Sequence, residues 1–559
     1  MLPKLIGLAH RPRFAVAVIP VAAALAVVLS MPTAGLAAAS RSASGAPAAP
    51  RSCASLTALS LPNTTITSAA DAPAGTLQPP LPGLGLPPVP IVAACRVHAI
   101  VTTPGANDQI GVDVWMPISG WNGRFQGVGG SAFLAGHPYF MAGAVDAGYA
   151  AAVTDAGNKS GNPFDGSFAL DSTGQLNWTL IKDFAYRGVH DLAVVGKAVT
   201  AAYYGSMAAF SYWNGCSTGG RQGLAEAQRY PSDFDGILAG APAINWQKYV
   251  PASLWPQLVM LQSGDFLPQC KFDAFQTAAI QACDSLGDRV VDGVIGDPAA
   301  CRFDPRSLIG ISTPCGTITA TDARVVAKIW QGARSTTGKF LWYGLEPGAS
   351  FGGIGNTVTA NGQTVGAPFP LVLEYLGTWV QQNPPVPRGT WDWTTTTYAR
   401  FDQLFRQSVD LFGDVMGTDN PDLRGLKKAG GKLLVYHGLA DQLIFTEGTV
   451  NYYQRVQRLI GDREATADFA RVFLAPGMAH CGGGPGAQPA NALSKLVDWV
   501  ENGRAPKSLD GVIRDPSTGA VAATRPICMF PKVAAYTGQG PTTEASSFAC
   551  RRRRDNGGR

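Results

Sequence analysis

The chain has 559 residues, a formal net charge of +5 at pH 7, and only 15% charged residues. This length allows several domains, or one large domain with an insertion. The low charge density argues against a nucleic-acid-binding protein, and the one basic run, residues 551–554, is predicted to be a solvated C-terminal tail.

The N-terminus has the composition of an export signal. Lys4, Arg11 and Arg13 precede an apolar run at residues 14–30, and small residues follow at 35–40. A basic region, a short apolar core and a small-residue site are typical of a secretory signal peptide, which we assign to residues 1–39. Pro20 and the modest length of the run argue against a permanent membrane span. We expect cleavage near residues 37–39 and a secreted, extracellular protein with no membrane association afterwards.

The rest of the chain alternates between strand and helix patterns. Residues 40–93 are rich in Ala, Ser, Pro and Gly, and are predicted to be an extended segment, part linker and part coat of the core. Apolar runs predict strands at 94–103, 109–117, 124–130, 148–157, 234–243, 432–441 and 470–481. Helices are predicted at 178–204 and 493–503, with a strand, a turn and a helix around residue 217. This alternation indicates an α/β fold with a mostly parallel, covered sheet.

Residues 244–420 interrupt this alternation and are predicted to form an inserted domain. The sheet domain is then divided between residues 94–243 and 421–559. The insertion holds four of the ten cysteines and seven of the twelve tryptophans. Aromatic side chains there are core material first, although some of them can line a substrate pocket. The tryptophans are Trp246, Trp255, Trp330, Trp342, Trp379, Trp391 and Trp393.

A nucleophile motif lies in the first part of the sheet domain. Residues 215–219 read GCSTG and fit G-x-S-x-G, which places Ser217 on a sharp turn between a strand and a helix. A serine hydroxyl needs a base to take its proton, and the base needs an acid to orient it. In α/β-hydrolases the order along the chain is Ser, then Asp or Glu, then His. Asp441 and His480 follow two later strands in this order, whereas His437 precedes Asp441 and fits it badly.

Ester or amide chemistry at such a serine also needs donors for the developing oxyanion. The motif places one donor directly after the nucleophile and another in an upstream loop. We therefore predict the backbone N–H groups of Thr218 and of Gly130, which lies in the sequence GVGG.

The positions of the cysteines also indicate how this site is arranged. All ten follow the signal peptide, and an even number in an oxidising compartment favours five disulfides. Cys216 precedes Ser217 and Cys481 follows His480, so a Cys216–Cys481 disulfide would join the nucleophile turn to the histidine loop. The alternative, a second nucleophile at Cys216, is disfavoured because an exported protein with this many cysteines keeps few of them free.

These features together resemble the tannase and feruloyl esterase family. The resemblance rests on the run GCSTGGRQGLAEAQRYPSDFDGILAGAPA, on Asp441 and on the pair His480–Cys481, and it covers about residues 94–531. It implies an α/β-hydrolase core with a lid domain and a Ser-Asp-His triad flanked by a disulfide. Tannases, feruloyl esterases and the bacterial mono(hydroxyethyl) terephthalate hydrolase share this pattern.

The insertion carries a second motif, CDSLGDRVVDGVIGDP at residues 283–298. Alternating carboxylates and backbone carbonyls make a hard-oxygen site that suits calcium. The resemblance implies a structural Ca²⁺ bound by Asp284, Asp288, Asp292 and the carbonyls of Val290 and Val294. One extra residue separates Asp284 from Asp288 relative to the family's C-D-x-x-D-G, which puts Asp284 in doubt as a ligand. The alternative is an Asp/Gly turn without a metal.

The remaining cysteines are paired by order and spacing. These suggest Cys53–Cys95, Cys283–Cys301 and Cys528–Cys550, which leaves Cys270–Cys315 by elimination.

The sequence thus favours a secreted serine esterase that acts on small esters of aromatic carboxylic acids, without an organic cofactor and without nucleic acid. The aromatic-rich insertion is expected to cover the nucleophile and supply an aromatic wall. A serine peptidase on the same fold and a non-catalytic secreted binding protein are the alternatives. The oligomeric state and the particular acid stay open.

Overall fold

The structure is a computed structural model that describes residues 51–80, 87–382 and 391–552. The predicted signal peptide lies outside the described residues. The strands are β1 (Thr64–Ala72), β2 (Gly75–Leu77), β3 (Val89–Ile91), β4 (Ala94–Val101), β5 (Ile110–Pro117), β6 (Arg124–Val128), β7 (Ala150–Thr154), β8 (Phe210–Cys216), β9 (Gly236–Gly240), β10 (Ser312–Thr313), β11 (Gly316–Thr317), β12 (Thr357–Ala360), β13 (Gln363–Gly366), β14 (Lys432–Gly438), β15 (Ala470–Ala475), β16 (Gln488–Pro489), β17 (Ser508–Arg514), β18 (Val521–Cys528), β19 (Lys532–Tyr536) and β20 (Phe548–Arg552).

The helices surround these strands. They are α1 (Pro138–Asp146), α2 (Trp178–Lys182), α3 (Gly188–Tyr204), α4 (Thr218–Arg229), α5 (Trp246–Ala252), α6 (Trp255–Ser263), α7 (Gln269–Cys283), α8 (Ala320–Gln331), α9 (Pro370–Glu374), α10 (Tyr398–Met416), α11 (Arg424–Ala429), α12 (Thr446–Ile460), α13 (Arg463–Ala467) and α14 (Ala492–Asn502). A π-helical turn, Asp183–Arg187, joins α2 to α3, so the helix predicted at residues 178–204 is present. None of the helices in the described ranges is long and apolar enough to cross a membrane.

A nine-stranded sheet forms the centre of the fold, in the order β1-β4-β5-β7-β6-β8-β9-β14-β15. The strands from β1 to β7 in this order pair antiparallel, and those from β7 to β15 pair parallel. The central strands β7 and β9 are buried at every position, which explains their near-continuous apolar sequences AAAVT and GILAG. Helices α3, α4 and α12 pack on one face, and α1 and α14 pack on the other. This arrangement confirms the predicted α/β-hydrolase fold.

The sheet begins earlier in the chain than the sequence indicates. Strand β1 lies within the segment predicted to be a linker and coat, and it pairs antiparallel with β4. A short 3₁₀ helix, Cys53–Ala58, precedes it and buries Leu56 completely. Apolar residues of this segment therefore belong to the core, although its composition is typical of a linker.

The predicted insertion lies between β9 and β14, two neighbouring strands of the sheet. It is mostly helical, with the small hairpins β10–β11 and β12–β13. Its apolar core includes Trp246, Trp379 and Phe412, and continues into Phe133 and Phe184 of the sheet domain. This shared cluster holds the insertion against the edge of the sheet where the parallel strands end.

Five disulfides are present, and all five have the predicted partners. They are Cys53–Cys95, Cys216–Cys481, Cys270–Cys315, Cys283–Cys301 and Cys528–Cys550. At the C-terminal end, Arg551 and Arg552 lie in β20 and are exposed, so this part of the basic run is a solvated strand end.

Candidate active site

Ser217 occupies a strained turn between β8 and α4. Its backbone has φ 63° and ψ −122°, a conformation that costs a non-glycine residue on the order of 1–3 kcal/mol. The turn is tight because the flanking glycines touch other backbone: a Cβ at Gly215 would lie 2.6 Å from the backbone of Gly219. The carbonyl of Ser217 accepts hydrogen bonds from the N–H groups of Arg221 and Ala243. This geometry is the nucleophile turn that G-x-S-x-G predicts.

Asp441 follows β14 and is buried, with four hydrogen-bond donors directed at its carboxylate. One oxygen accepts the backbone N–H groups of Leu443 and Ile444, at 2.9 and 2.8 Å. The other lies 2.8 Å from His480 Nδ1 and 3.0 Å from His437 Nε2. Burial alone would raise the pKa of Asp441, but the two histidines outweigh it and hold this pKa well below its usual range. The carboxyl is therefore ionised at neutral pH.

His480 lies in the loop after β15, and the loop holds its ring toward Asp441. Its backbone N–H donates to Gln442 Oε1 at 3.0 Å. Its Nε2 lies 3.6 Å from the sulfur of Cys481, which is bonded to Cys216 beside the nucleophile. The predicted disulfide thus joins the loop that carries His480 to the turn that carries Ser217.

His437 contacts the Asp441 carboxylate, although its position before Asp441 in the chain fits the Ser-Asp-His order badly. It is completely buried, and its Nε2 is 3.0 Å from Asp441 and 3.2 Å from the carbonyl of Ile444. Both of these partners are acceptors, so Nε2 carries the proton and Nδ1 accepts from the Thr449 hydroxyl at 2.8 Å. His437 is too deeply buried to reach substrate, and its contact with the site is the one to Asp441. The four-residue spacing of His437 and Asp441 was the only sequence signal for this contact.

A cavity of about 210 Å³ connects Ser217 with His480. It is smaller than the roughly 300–1,000 Å³ of pockets for drug-sized ligands. The sheet domain and the insertion both contribute to its wall, and none of the described lining residues is Asp, Glu, Lys or Arg. They are Ser131, Ala132, Pro163, Phe164, Ser217, Thr218, Tyr249, Val250, Ser253, Phe369, Leu371, Val372, Leu443, Ile444 and His480.

The aromatic residues of this wall are Phe164 from the loop after β7, and Tyr249 and Phe369 from the insertion. None of the seven tryptophans of the insertion is among the described lining residues. Trp246 and Trp379 are completely buried in the shared core instead. The insertion thus contributes aromatic side chains, but they are not the ones that its tryptophan content suggested.

The structure corrects one predicted oxyanion donor. The N–H of Gly130 donates to Gln222 Oε1 at 3.0 Å, so it cannot also face the cavity. In the run from Gly129 to Leu134, the N–H of Ala132 alone has no hydrogen-bond partner among the described residues. Ala132 lines the cavity, and its carbonyl accepts the Thr218 hydroxyl at 2.7 Å. A run of small residues signals such a loop, but does not identify which N–H is free.

Thr218, the other predicted donor, directly follows Ser217 at the start of a helix. It is the first residue of α4, and its N–H has no partner among the described residues. The first N–H groups of a helix have no intrahelical acceptor and carry the positive end of the helix dipole. The N–H groups of Thr218 and Ala132 are therefore the candidate donors to an anionic oxygen in the cavity.

The three carboxylates of the predicted calcium site already have partners within the protein. Both oxygens of Asp284 accept backbone N–H groups, from Asp292, Gly293 and Val294. Asp288 and Asp292 instead form ion pairs with Arg525 of β18. Among the described residues, the one set of three potential metal-ligand side chains within 4.8 Å of one another is Cys53, Asp71 and Cys95, and its cysteines form a disulfide. The calcium ligands, including the carbonyls of Val290 and Val294, stay a prediction that this arrangement does not favour.

The chain is similar to known proteins in sequence and in fold. A family described as Tannase and feruloyl esterase matches residues 95–551. A probable feruloyl esterase from Arthroderma benhamiae is 42% identical over 479 residues, which cover 84% of this chain and 88% of that protein. Feruloyl esterase B from Aspergillus oryzae has TM-score 0.75 and 29% identity, over 89% of this chain and 99% of its own. Tannin acyl hydrolase from Aspergillus niger has TM-score 0.77 and 25% identity, over 88% and 92%.

Proposed function

Because the chain belongs to the tannase and feruloyl esterase family and is a carboxylic ester hydrolase, we propose that it is a serine esterase for uncharged aromatic acyl groups of the hydroxycinnamate type. The observation that carries this proposal is the cavity between Ser217 and His480. Its wall combines Phe164, Tyr249 and Phe369 with aliphatic side chains and has no ionised carboxylate, lysine or arginine among the described lining residues.

The lack of charged side chains among the described wall residues discriminates between the candidate acyl groups. A terephthalate monoester carries a free carboxylate, which would lose its hydration in this cavity without gaining a cation. A galloyl group carries three hydroxyls that each require a partner when buried, whereas a feruloyl or coumaroyl group carries one. Of the polar side chains in the wall, Ser253 already donates its hydroxyl to the carbonyl of Tyr249 at 2.9 Å, which leaves Ser131 and Tyr249, fewer than a galloyl group requires. Ring contacts with three aromatic residues contribute about 0.5–1.5 kcal/mol each beyond area burial.

The proposed chemistry uses Ser217, His480 and Asp441. Ser217 attacks the ester carbonyl while His480 takes its proton, and the same proton passes to the leaving alcohol. Asp441 orients His480 through Nδ1 and stabilises the imidazolium that forms. The N–H groups of Thr218 and Ala132 hold the oxyanion, and water then hydrolyses the acyl-enzyme through the same base.

Export completes the proposal. Five disulfides suit an oxidising compartment, and residues 1–39 have the pattern of a signal peptide. The mature enzyme would act outside the cell on small esters.

The test compares kcat/KM for methyl ferulate, methyl p-coumarate, methyl gallate, monomethyl terephthalate and an aliphatic ester of equal size. We expect the two hydroxycinnamates to be the best substrates. Ser217→Ala should abolish turnover and labelling by a fluorophosphonate. Phe369→Ala should reduce the aromatic preference by about 2- to 12-fold, from one lost ring contact. Phe340→Ala, at a residue that is 51% exposed and outside the cavity, is the matched control. Preference for the terephthalate monoester, or turnover by Ser217→Ala, would rule the proposal out.

A further inference from the structure

The Asp/Gly loop at residues 284–294 is neutralised by a residue that lies far away in the chain. Arg525 Nη1 is 2.7 Å from Asp292 Oδ2 and 3.0 Å from Asp288 Oδ2. We propose that the guanidinium of Arg525 is the permanent cation of this loop, and that the loop keeps its structure without calcium. This property is independent of the ester substrate.

Five of the six carboxylate oxygens of Asp284, Asp288 and Asp292 already have donors within the protein. Asp284 accepts three backbone N–H groups, two at one oxygen and one at the other, at 2.9–3.2 Å. The second oxygen of Asp288 accepts the N–H of Val290 at 3.1 Å. A calcium ion requires about six to eight oxygens at about 2.3–2.6 Å. At these oxygens it would compete with the backbone donors and with Arg525, whose guanidinium already pairs with the carboxylates of Asp288 and Asp292.

The side chain of Arg525 is buried and held in place by several contacts. Arg525 is 8% exposed, and its guanidinium lies 4.2 Å from the ring centre of Phe548. Its Nη2 donates to the carbonyl of Thr542 at 3.2 Å. A planar guanidinium suits such a site because it can stack on a ring and bridge two carboxylates at once. With its stem and ring partner fixed by β18 and β20, the side chain has few alternative positions.

Burial makes the Asp288 carboxylate depend on Arg525. The Asp288 side chain is 4% exposed, so without Arg525 its carboxylate would lack both water and a cation, whereas Asp292, at 23%, keeps some contact with water. Removing one member of a buried ion pair is strongly destabilising for that reason, even where the intact pair contributes little. The stability of the loop is therefore expected to depend on Arg525.

The loop also docks on its surroundings through contacts that involve no metal. The N–H of Tyr536 donates to the carbonyl of Asp288 at 2.8 Å. Val290 packs in an apolar cluster with Cys528, Ala534 and Phe548. The ion pairs with Arg525 complete this contact between the insertion and the C-terminal strands. These contacts thus hold the loop in place without a bound metal ion.

The test measures metal content and thermal stability on the full purified chain. After dialysis against EDTA, we expect well under one calcium per chain by elemental analysis. The melting temperature should be the same in EDTA and in millimolar calcium chloride, because a ligand that binds only the folded state would raise it. Stoichiometric calcium, or a melting temperature that falls in EDTA and recovers with calcium, would overturn the proposal.

Arg525→Met tests the ion pairs directly. We expect its melting temperature to fall by roughly 5 °C, from an unpaired buried carboxylate in a large domain. Arg514→Met, at an exposed arginine of the adjacent strand β17, is the matched control and should change it little. Should Arg525→Met not fold, Asp292→Asn should give a smaller loss in the same direction, because Arg525 loses one carboxylate and keeps its ion pair with Asp288. A loss no larger than that of Arg514→Met in either variant would contradict the role of Arg525.

Discussion

Replacing Asp441 by Asn would test how the carboxylate orients His480. The change removes the charge and keeps the shape of the side chain. Each carboxylate oxygen of Asp441, however, has two donors: one oxygen accepts two backbone N–H groups, and the other contacts His437 and His480. An asparagine has one oxygen, so its NH₂ group must face donors on one side. The backbone N–H groups of Leu443 and Ile444 cannot change, whereas an imidazole can move its proton to the other nitrogen. We therefore expect the NH₂ group to face the histidines.

The consequence for His480 is the wrong tautomer. Its Nδ1 would accept from the new amide, and the proton would sit on Nε2, where the base needs a lone pair. Loss of the orienting charge in this way costs about ten-thousand-fold in kcat, or about 5.5 kcal/mol of barrier. KM should change little, because Asp441 is buried and outside the cavity wall.

The assay is kcat/KM on the best ester substrate, with the melting temperature measured in parallel. Asp510→Asn, at an exposed carboxylate of β17, is the control for the substitution itself and should leave kcat unchanged. A folded Asp441→Asn enzyme that keeps more than about a tenth of wild-type kcat would refute the orienting role, because a wrong tautomer costs far more.

Two further predictions concern the helix after the nucleophile. Gln222→Leu removes the partners of the Gly130 N–H and the Ala135 carbonyl, so we expect kcat to fall by about tenfold or more as the loop of Ala132 shifts. The control is Gln228→Leu on the same helix, whose side chain is bonded to Thr418 and Tyr452; it should lower the melting temperature without this loss of kcat. Equal kcat in the two variants would contradict the prediction. Burial raises the pKa of Glu226 well above its ordinary value of 4.5, so the folded state keeps a proton that the unfolded chain releases, and wild-type stability falls as pH rises above 4.5. Glu226→Gln lacks this decline, so its stability relative to wild type should increase by up to about 1.4 kcal/mol per pH unit in denaturant titrations above that pH, and a difference that is constant with pH would exclude the mechanism.

Patterns that are local in the chain predicted most of the fold and the centre of the site. The buried strands, the turn at Ser217 and the chain order of Asp441 and His480 follow from periodicity and from short motifs. The disulfide between Cys216 and Cys481 followed from their positions beside Ser217 and His480. In each case the physical requirement, such as a covered strand or a tight turn, acts on residues that are neighbours in sequence.

Other features were decided only by contacts between distant parts of the chain. The composition of residues 40–93 is that of a linker, yet β1 finds a partner in β4 and becomes the edge of the sheet. Gly130 and Ala132 both belong to a run of small residues, and only Gln222, 92 residues away from Gly130, determines which N–H is free. The carboxylates of the Asp/Gly loop suit calcium in sequence, but in the structure two of them pair with Arg525, 233 residues after Asp292. From the sequence alone, one backbone N–H or one carboxylate cannot be told from another of the same kind. Only the tertiary structure shows which of them are bonded to distant residues and which remain free to contact a ligand.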